Sequence, residues 1–294
     1  MSTMRSRFYE LAARALDDDQ RVAVVAAEIG LSELPDHPRL VNVGIREQLM
    51  IGVAAGLARE GMRPIAHSYT PFLVERPYEQ IKLDLGHQDV GAILVSTGAS
   101  YDSARSGRTH QAPGDVAVLS ALPGWTIHVP GHPDELEQQL REALRTDDRV
   151  YIRMSEEAND APVHARGLVV LRRGSDAAPV VLAVGPTLDP VLEATSDLDA
   201  TVAYLSTVRP FDAAGLRALM RGTDVVLVEP YLAGTSAAAV ASALTDRAHR
   251  LLALGVGNVE LRRYGTGADH RAANGLDADG IRRSLARFAL PAAA

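Results

Sequence analysis

The stretch 41-VNVGIREQLMIGVAAGLAREG-61 joins a β-prone run to a helix-prone one, with a single glutamate, Glu47, at the join. Val41 and Val43 favour an extended strand and Gly44 interrupts it. From Glu47 onward Leu49, Met50, Ile51, Val53, Ala54, Ala55 and Leu57 follow with little polar interruption, which predicts a mostly buried helix over 45–60. A strand feeding directly into such a helix is the repeating unit of a parallel α/β sheet. An acid in the first turn suits the positive end of the helix dipole, and that alone would account for Glu47. Gly52 and Gly56 on the same helix suit close approach of a second helix.

Working outward, the pattern repeats. The runs 21–30, 39–44, 63–70, 90–98, 125–130 and 150–155 read as strands buried on both faces, and 45–60, 77–88, 114–122 and 133–146 as helices between them. An opening helix carries Phe8, Leu11, Ala12, Ala15 and Leu16 at helical spacing. The pattern loosens across 156-EEANDAPVHARG-167, a polar stretch with Pro and Gly that reads as a linker. A second series follows, with strands at 178–185, 200–208, 223–230 and 251–257 and a last helix near 278–289. The expected fold is α/β: two domains, 1–165 and 166–294, each a mainly parallel sheet flanked by helices.

Composition narrows the function classes. The 294 residues are 47% hydrophobic and 23% charged, values of a globular chain with room for two cores. A formal net charge of −7 argues against nucleic acid or an anionic membrane as the main partner. No run approaches the ~18 apolar residues of a membrane span, and the first 20 residues lack the apolar core of a signal peptide, so a cytoplasmic location is the default expectation. With no cysteine there is neither a disulfide framework nor a thiolate nucleophile or metal ligand, and no metal site is expected on this chain.

Ligands of open parallel sheets bind beyond the carboxyl ends of the strands, so the loops after 44, 70, 98 and 230 matter most. The first carries Glu47. The second, 68-SYTPFLVERPYEQ-80, offers Phe72 and Tyr78 in a chain with 4% aromatics; each alone is as readily a packing residue. The third, 96-STGASYDSARSGRTHQAPGD-115, is a long irregular loop with Tyr101, Arg105, Arg108 and His110, and loops of this length inside compact domains are often functional. The fourth, 230-PYLAGTSAAAVASAL-244, puts a glycine and small residues at a helix start.

Taken together, "NVGIREQLMIGVAAGLAREG", "TPFL" and "GRTHQAPGDVAVLSALPGWTIHVPGHPDELEQQLREAL" resemble the transketolase family, which includes the deoxyxylulose-phosphate synthases. "VVLAVGPTLDPVLEA", "VAYLSTVRPFD" and "VVLVEPYLAGTSAAAVASAL" resemble that family's C-terminal domain. The resemblance covers essentially the whole chain. It implies a thiamine-diphosphate pyrimidine-binding domain over 1–165 and a transketolase C-terminal domain over 166–294. It also implies the small subunit of a split enzyme, whose separate large, N-terminal-type subunit holds the diphosphate and Mg2+ of thiamine diphosphate. The implied assembly is an α2β2 heterotetramer, and the implied reaction is transfer of a two-carbon ketol unit from a ketose to an aldehyde.

By the same resemblance, Glu47 hydrogen-bonds the aminopyrimidine and relays a proton, Phe72 stacks on the ring, Tyr78 lines the same pocket and His110 contacts a substrate oxygen. Burial disfavours the charged form of a carboxyl group, which suits sharing a proton near neutrality.

The sequence departs from the family in the substrate loop. Tyr101 stands where a histidine is usual, Ser106 where an acid contacts a sugar hydroxyl, and Glu156 where an arginine grips phosphate. A carboxylate at that last position would repel phosphate, so an unusual substrate is expected, with Arg105 and Arg108 either an alternative anion clamp or solvent-facing. Two other readings stay open: the β-subunit of a 2-oxo-acid dehydrogenase E1 component, and a non-catalytic partner subunit.

Overall fold

The computed structural model describes residues 3–164, 166–260 and 262–289. Among the described residues, twelve strands form two sheets. The first half contributes β1 (Val22–Ala26), β2 (Leu40–Asn42), β3 (Arg63–Tyr69), β4 (Ile93–Thr97), β5 (Trp125–His128) and β6 (Arg149–Arg153). The second half contributes β7 (Val169–Arg172), β8 (Val180–Val184), β9 (Thr201–Leu205), β10 (Thr207–Arg209), β11 (Asp224–Leu232) and β12 (Arg250–Val256).

The sheet orders are β10-β5-β6-β4-β3-β1-β2 and β12-β11-β8-β9-β7. All pairs are parallel except β10 on β5 and β7 on β9. The mainly parallel α/β architecture therefore stands as expected. Residue 165, where the two domains are expected to meet, lies outside the described residues, as does the terminal "PAAA".

Helices cover both faces of the first sheet because their apolar stripes have nowhere else to go. Helix α1 (Met4–Asp18) buries Phe8, Leu11, Ala12, Ala15 and Leu16 in one cluster with Leu136 and Leu140 of the helix Pro133–Ala143. Helix α2 (Glu47–Arg59) buries Met50, Ile51, Ala54 and Ala55 in the other core, shared with Ala66, Leu73 and Leu94. Each fully buried Leu, Ile or Phe contributes roughly 1.5–3 kcal/mol.

Four details differ from expectation. β2 is half-buried because it is the sheet's edge, not a strand covered on both faces. The segment expected as one helix over 77–88 belongs to a longer run of π-helical turns, Pro71–Glu75 and Ile81–His87, around the short helix Tyr78–Gln80. Pro77 has no N–H for the carbonyl four residues back, and Arg76 N donates instead five back, to Pro71 O, at 3.0 Å.

The run 200–208 is not one strand. It breaks after Leu205, and Thr207–Arg209 crosses to the first sheet, where Val129 N donates to Ser206 O at 2.7 Å. Finally, β7 was not anticipated, since Val169–Arg172 is a short, half-exposed edge.

Candidate active site

Glu47 is the first helical residue of α2, just past the turn at Gly44, whose φ of +67° favours glycine. Its side chain is only 2% exposed, and Arg76 Nη1 donates to its Oε2 at 2.6 Å. Arg76 comes from the loop after β3, and its guanidinium carbon lies 4.1 Å from the centroid of the Phe72 ring.

Phe72 meets His110 edge-to-face at 5.0 Å, and Tyr69 meets His110 at 5.5 Å and Phe72 at 6.2 Å. The loops after β2, β3 and β4 thus converge at the carboxyl edge of the neighbouring strands β4, β3, β1 and β2. This is where an open parallel sheet offers a crevice.

The loop that carries His110 is tightly fixed at its start. Gly98 has φ +73°, and a Cβ there would lie 2.8 Å from the Tyr69 ring, so only glycine lets the chain leave β4 against that aromatic. Beneath the loop, Arg153 is buried and donates to Asp115 at 2.7 Å and to Ser100 Oγ at 2.5 Å, while the Tyr151 hydroxyl donates to Asp115 at 2.6 Å. Ser100 in turn donates to the carbonyl of Pro230 in β11.

Asp102 accepts from Ala99 N, Glu156 N and Ser155 Oγ. Burial raises its carboxyl to about 7, against the opposing pull of the Glu156 N–H. On His110, Nδ1 lies 2.9 Å from Thr109 Oγ1, which donates to Ser106 O at 3.3 Å. The Thr109 hydroxyl thus holds the Nδ1 edge of the ring and leaves Nε2 as the ring nitrogen without a protein partner among the described residues.

Of the residues singled out from sequence, Glu47, Phe72 and His110 come together, linked by Arg76. Tyr78 is half-buried at the next helical turn and, among the described residues, makes none of the ring contacts that join Tyr69, Phe72 and His110. Tyr101 lies elsewhere: it is 4% exposed, packs with Val181 and Val202 of the second sheet, and stacks on His270 at 5.4 Å.

Arg105 is exposed and lines a cleft of about 420 Å³ with Asp102, Ser103, Ser106, Glu156 and Thr266. Arg108 already has partners, Glu260 Oε1 at 3.3 Å and Gln111 O at 2.6 Å. Sequence reasoning missed Arg76 and Tyr69. Tyr69 could have been found as an aromatic closing a strand; Arg76 gave no signal, because its partner is 29 residues away.

Residues 2–160 match the family described as transketolase, pyrimidine binding domain. The chain belongs to the transketolase family. Within it, the chain is 52% identical over 283 residues to a protein of Rhodococcoides fascians named an uncharacterized 33.6 kDa protein in fasciation locus, covering 93% of this chain and 91% of that one. It is 32% identical to the 1-deoxy-D-xylulose-5-phosphate synthase 2 of Geobacter sulfurreducens over 93% of this chain, but spans only 47% of that synthase.

Among solved structures, a split gene transketolase described as an inactive beta4 tetramer superposes with a TM-score of 0.81, covering 97% of both chains. At 23% identity that likeness speaks for the fold. No helix among the described residues is long and apolar enough to cross a membrane.

Proposed function

We propose that this chain is the small subunit of a heteromeric, thiamine-diphosphate-dependent transketolase that moves a two-carbon ketol unit from a ketose donor to an aldehyde acceptor. The observation that carries the reading is the buried Glu47 carboxylate beside the Phe72–His110 pair. A buried carboxylate next to an aromatic face fits a flat heterocycle with basic ring nitrogens. When bound, thiamine diphosphate supplies the electron sink for breaking and making a carbon–carbon bond beside a carbonyl.

The residues of this chain do the rest. Glu47 shares a proton with a pyrimidine ring nitrogen through a carboxylate oxygen. Phe72 fixes the tilt of that ring by burying its flat face. His110, held at Nδ1 by Thr109, offers its Nε2 to a substrate oxygen for proton exchange. The apolar wall of α2 keeps water from Glu47.

The diphosphate and Mg2+ are assigned to a separate large subunit, in an α2β2 assembly. Support comes from the split-gene neighbour and from the surface of α2 and the turn that leads into it. Ile45 is 73% and Leu49 is 49% exposed beside Glu47, and a Cβ added at Gly56 would meet nothing within 4 Å. Those groups suit contact with the chain that completes the site.

The substrate is assigned outside the common sugar phosphates. Glu156 is exposed on the substrate-loop cleft, and Arg108 is engaged by Glu260. Neither arrangement favours a phosphate there.

The test is reconstitution with the large subunit and assay of ketol transfer from hydroxypyruvate to an aldehyde. Glu47→Gln is expected to lower kcat by about a hundredfold or more, the usual contribution of a placed proton-transfer group. Full activity in that variant overturns the reading. Turnover of pyruvate-like oxo acids with a lipoyl acceptor, and none of hydroxypyruvate, would favour the dehydrogenase subunit instead.

A further inference from the structure

Arg76 occupies both features that the reading above gives to the cofactor. It satisfies the buried Glu47 carboxylate at 2.6 Å and covers the Phe72 ring at 4.1 Å. A guanidinium is flat, cationic and rich in N–H donors, so one side chain can serve a carboxylate and an aromatic face together. We propose that Arg76 is a built-in stand-in for the pyrimidine: it holds Glu47 and Phe72 in the cofactor-free chain and must release both for the cofactor to bind. This rests on the assignment of thiamine diphosphate to the site under Proposed function.

The geometry gives reasons for both halves, the holding and the release. A carboxylate as enclosed as Glu47 is costly without a counter-ion, and Arg76 supplies it. Yet the Arg76 side chain is itself 37% exposed. Among the described residues, Glu47 is the one hydrogen-bond partner of its guanidinium.

Its backbone, by contrast, is fixed. Arg76 N donates to Pro71 O at 3.0 Å, and Arg76 O accepts from Gln48 Nε2 at 3.4 Å. Pro77 follows and restricts the chain further. The side chain can therefore swing into solvent without unpacking the π-helical turns that carry Phe72.

A closed state that excludes the ligand lowers its apparent affinity by the fraction of molecules left open. The device keeps Glu47 and Phe72 ordered before assembly and makes cofactor entry an exchange of partners. Arg76 is a positioning residue in this scheme, acting through Glu47 and Phe72.

The experiment titrates thiamine diphosphate with Mg2+ into the complex of this chain with its large subunit, read by calorimetry without substrate. Arg76→Met is expected to tighten binding by about two- to fivefold, the range for loss of a half-exposed competing ion pair. Unchanged or weaker binding in the variant overturns the proposal.

The isolated chain gives a second readout. Arg76→Met is expected to lower Tm by a few degrees, and Glu47→Gln added to it is expected to restore most of the loss. No loss in the single variant also overturns the stand-in role. Should Arg76→Met fail to fold, Arg76→Gln, which keeps a neutral hydrogen-bond donor, takes its place in both measurements. A wild-type complex that binds no thiamine diphosphate removes the cofactor reading itself, and this proposal falls with it; binding by the wild type with no tightening in the variant removes this proposal alone.

Discussion

His67 has no exposed surface, and its two ring nitrogens have different tasks. Nδ1 faces the carbonyl of Val95 at 2.8 Å and so must donate, while Nε2 accepts from the Tyr9 hydroxyl at 3.1 Å. The Tyr9–His67 bond ties α1 to the strand that ends at Tyr69, and Arg5 Nε, one turn back on α1, donates to the same hydroxyl at 3.0 Å. Burial pushes the His67 imidazole down to about 4, and His128, buried under β10, likewise to about 4.

An unfolded histidine titrates near 6.5, so the native state binds fewer protons between the two values. The stability from these groups is fully present above pH ~6.5 and is lost as pH falls toward about 4. Over that window each histidine accounts for at most ~3 kcal/mol. Asp102, raised to about 7, works in the opposite sense over the same range, so the test is a comparison. In thermal melts across pH 4–8, His67→Gln should lose less Tm on acidification than the wild type, and an equal loss would remove His67 from the account.

At the scale of elements, α2 does two jobs with two faces. Met50, Ile51, Ala54 and Ala55 anchor it to the sheet, which holds Glu47 in place. Leu49 on α2 and Ile45 in the turn before it are large apolar side chains left exposed. Leu49→Arg should therefore leave the melting temperature of the isolated chain within a degree or two, since exposed changes shift stability by ~0.5 kcal/mol or less. It should nonetheless abolish association with the proposed large subunit in sedimentation velocity. Undiminished association would mean that α2 is not at the interface.

The π-helical turns between Pro71 and His87 follow a similar logic. Two prolines and a missing N–H at Pro77 widen the chain where Phe72 and Arg76 must project, and such widened turns recur at functional sites.

At the scale of the molecule, the two sheets are not independent. β10 leaves the second half to pair with β5, and Leu232 N donates to Pro113 O at 2.7 Å. Glu135, buried in the first half, accepts from the Tyr204 hydroxyl at 2.5 Å and from Val163 N at 2.8 Å. Arg271–Glu157 and Arg108–Glu260 add ion pairs across the same seam.

A fragment of residues 1–165 would lose its edge strand and leave the Glu135 carboxylate without Tyr204. It should fail to give a cooperative melt, whereas the whole chain should unfold in one calorimetric transition. A protease-resistant, cooperatively melting 1–165 would show that the seam is dispensable.

The local pattern of the chain was enough for the α/β class, for most strands and for the Glu47, Phe72 and His110 loops. Period-two and period-3.6 apolar spacing, and the rule that ligands gather at strand ends, act over a few residues and can be read there. Contacts between residues far apart in the chain could not be read. Arg76 on Glu47, Tyr101 turned into the second core against His270, Arg108 held by Glu260 and β10 crossing between sheets all pair groups with no local trace of each other. Such pairings depend on which surfaces are left to be covered once both sheets have formed, and only the assembled tertiary structure decides that.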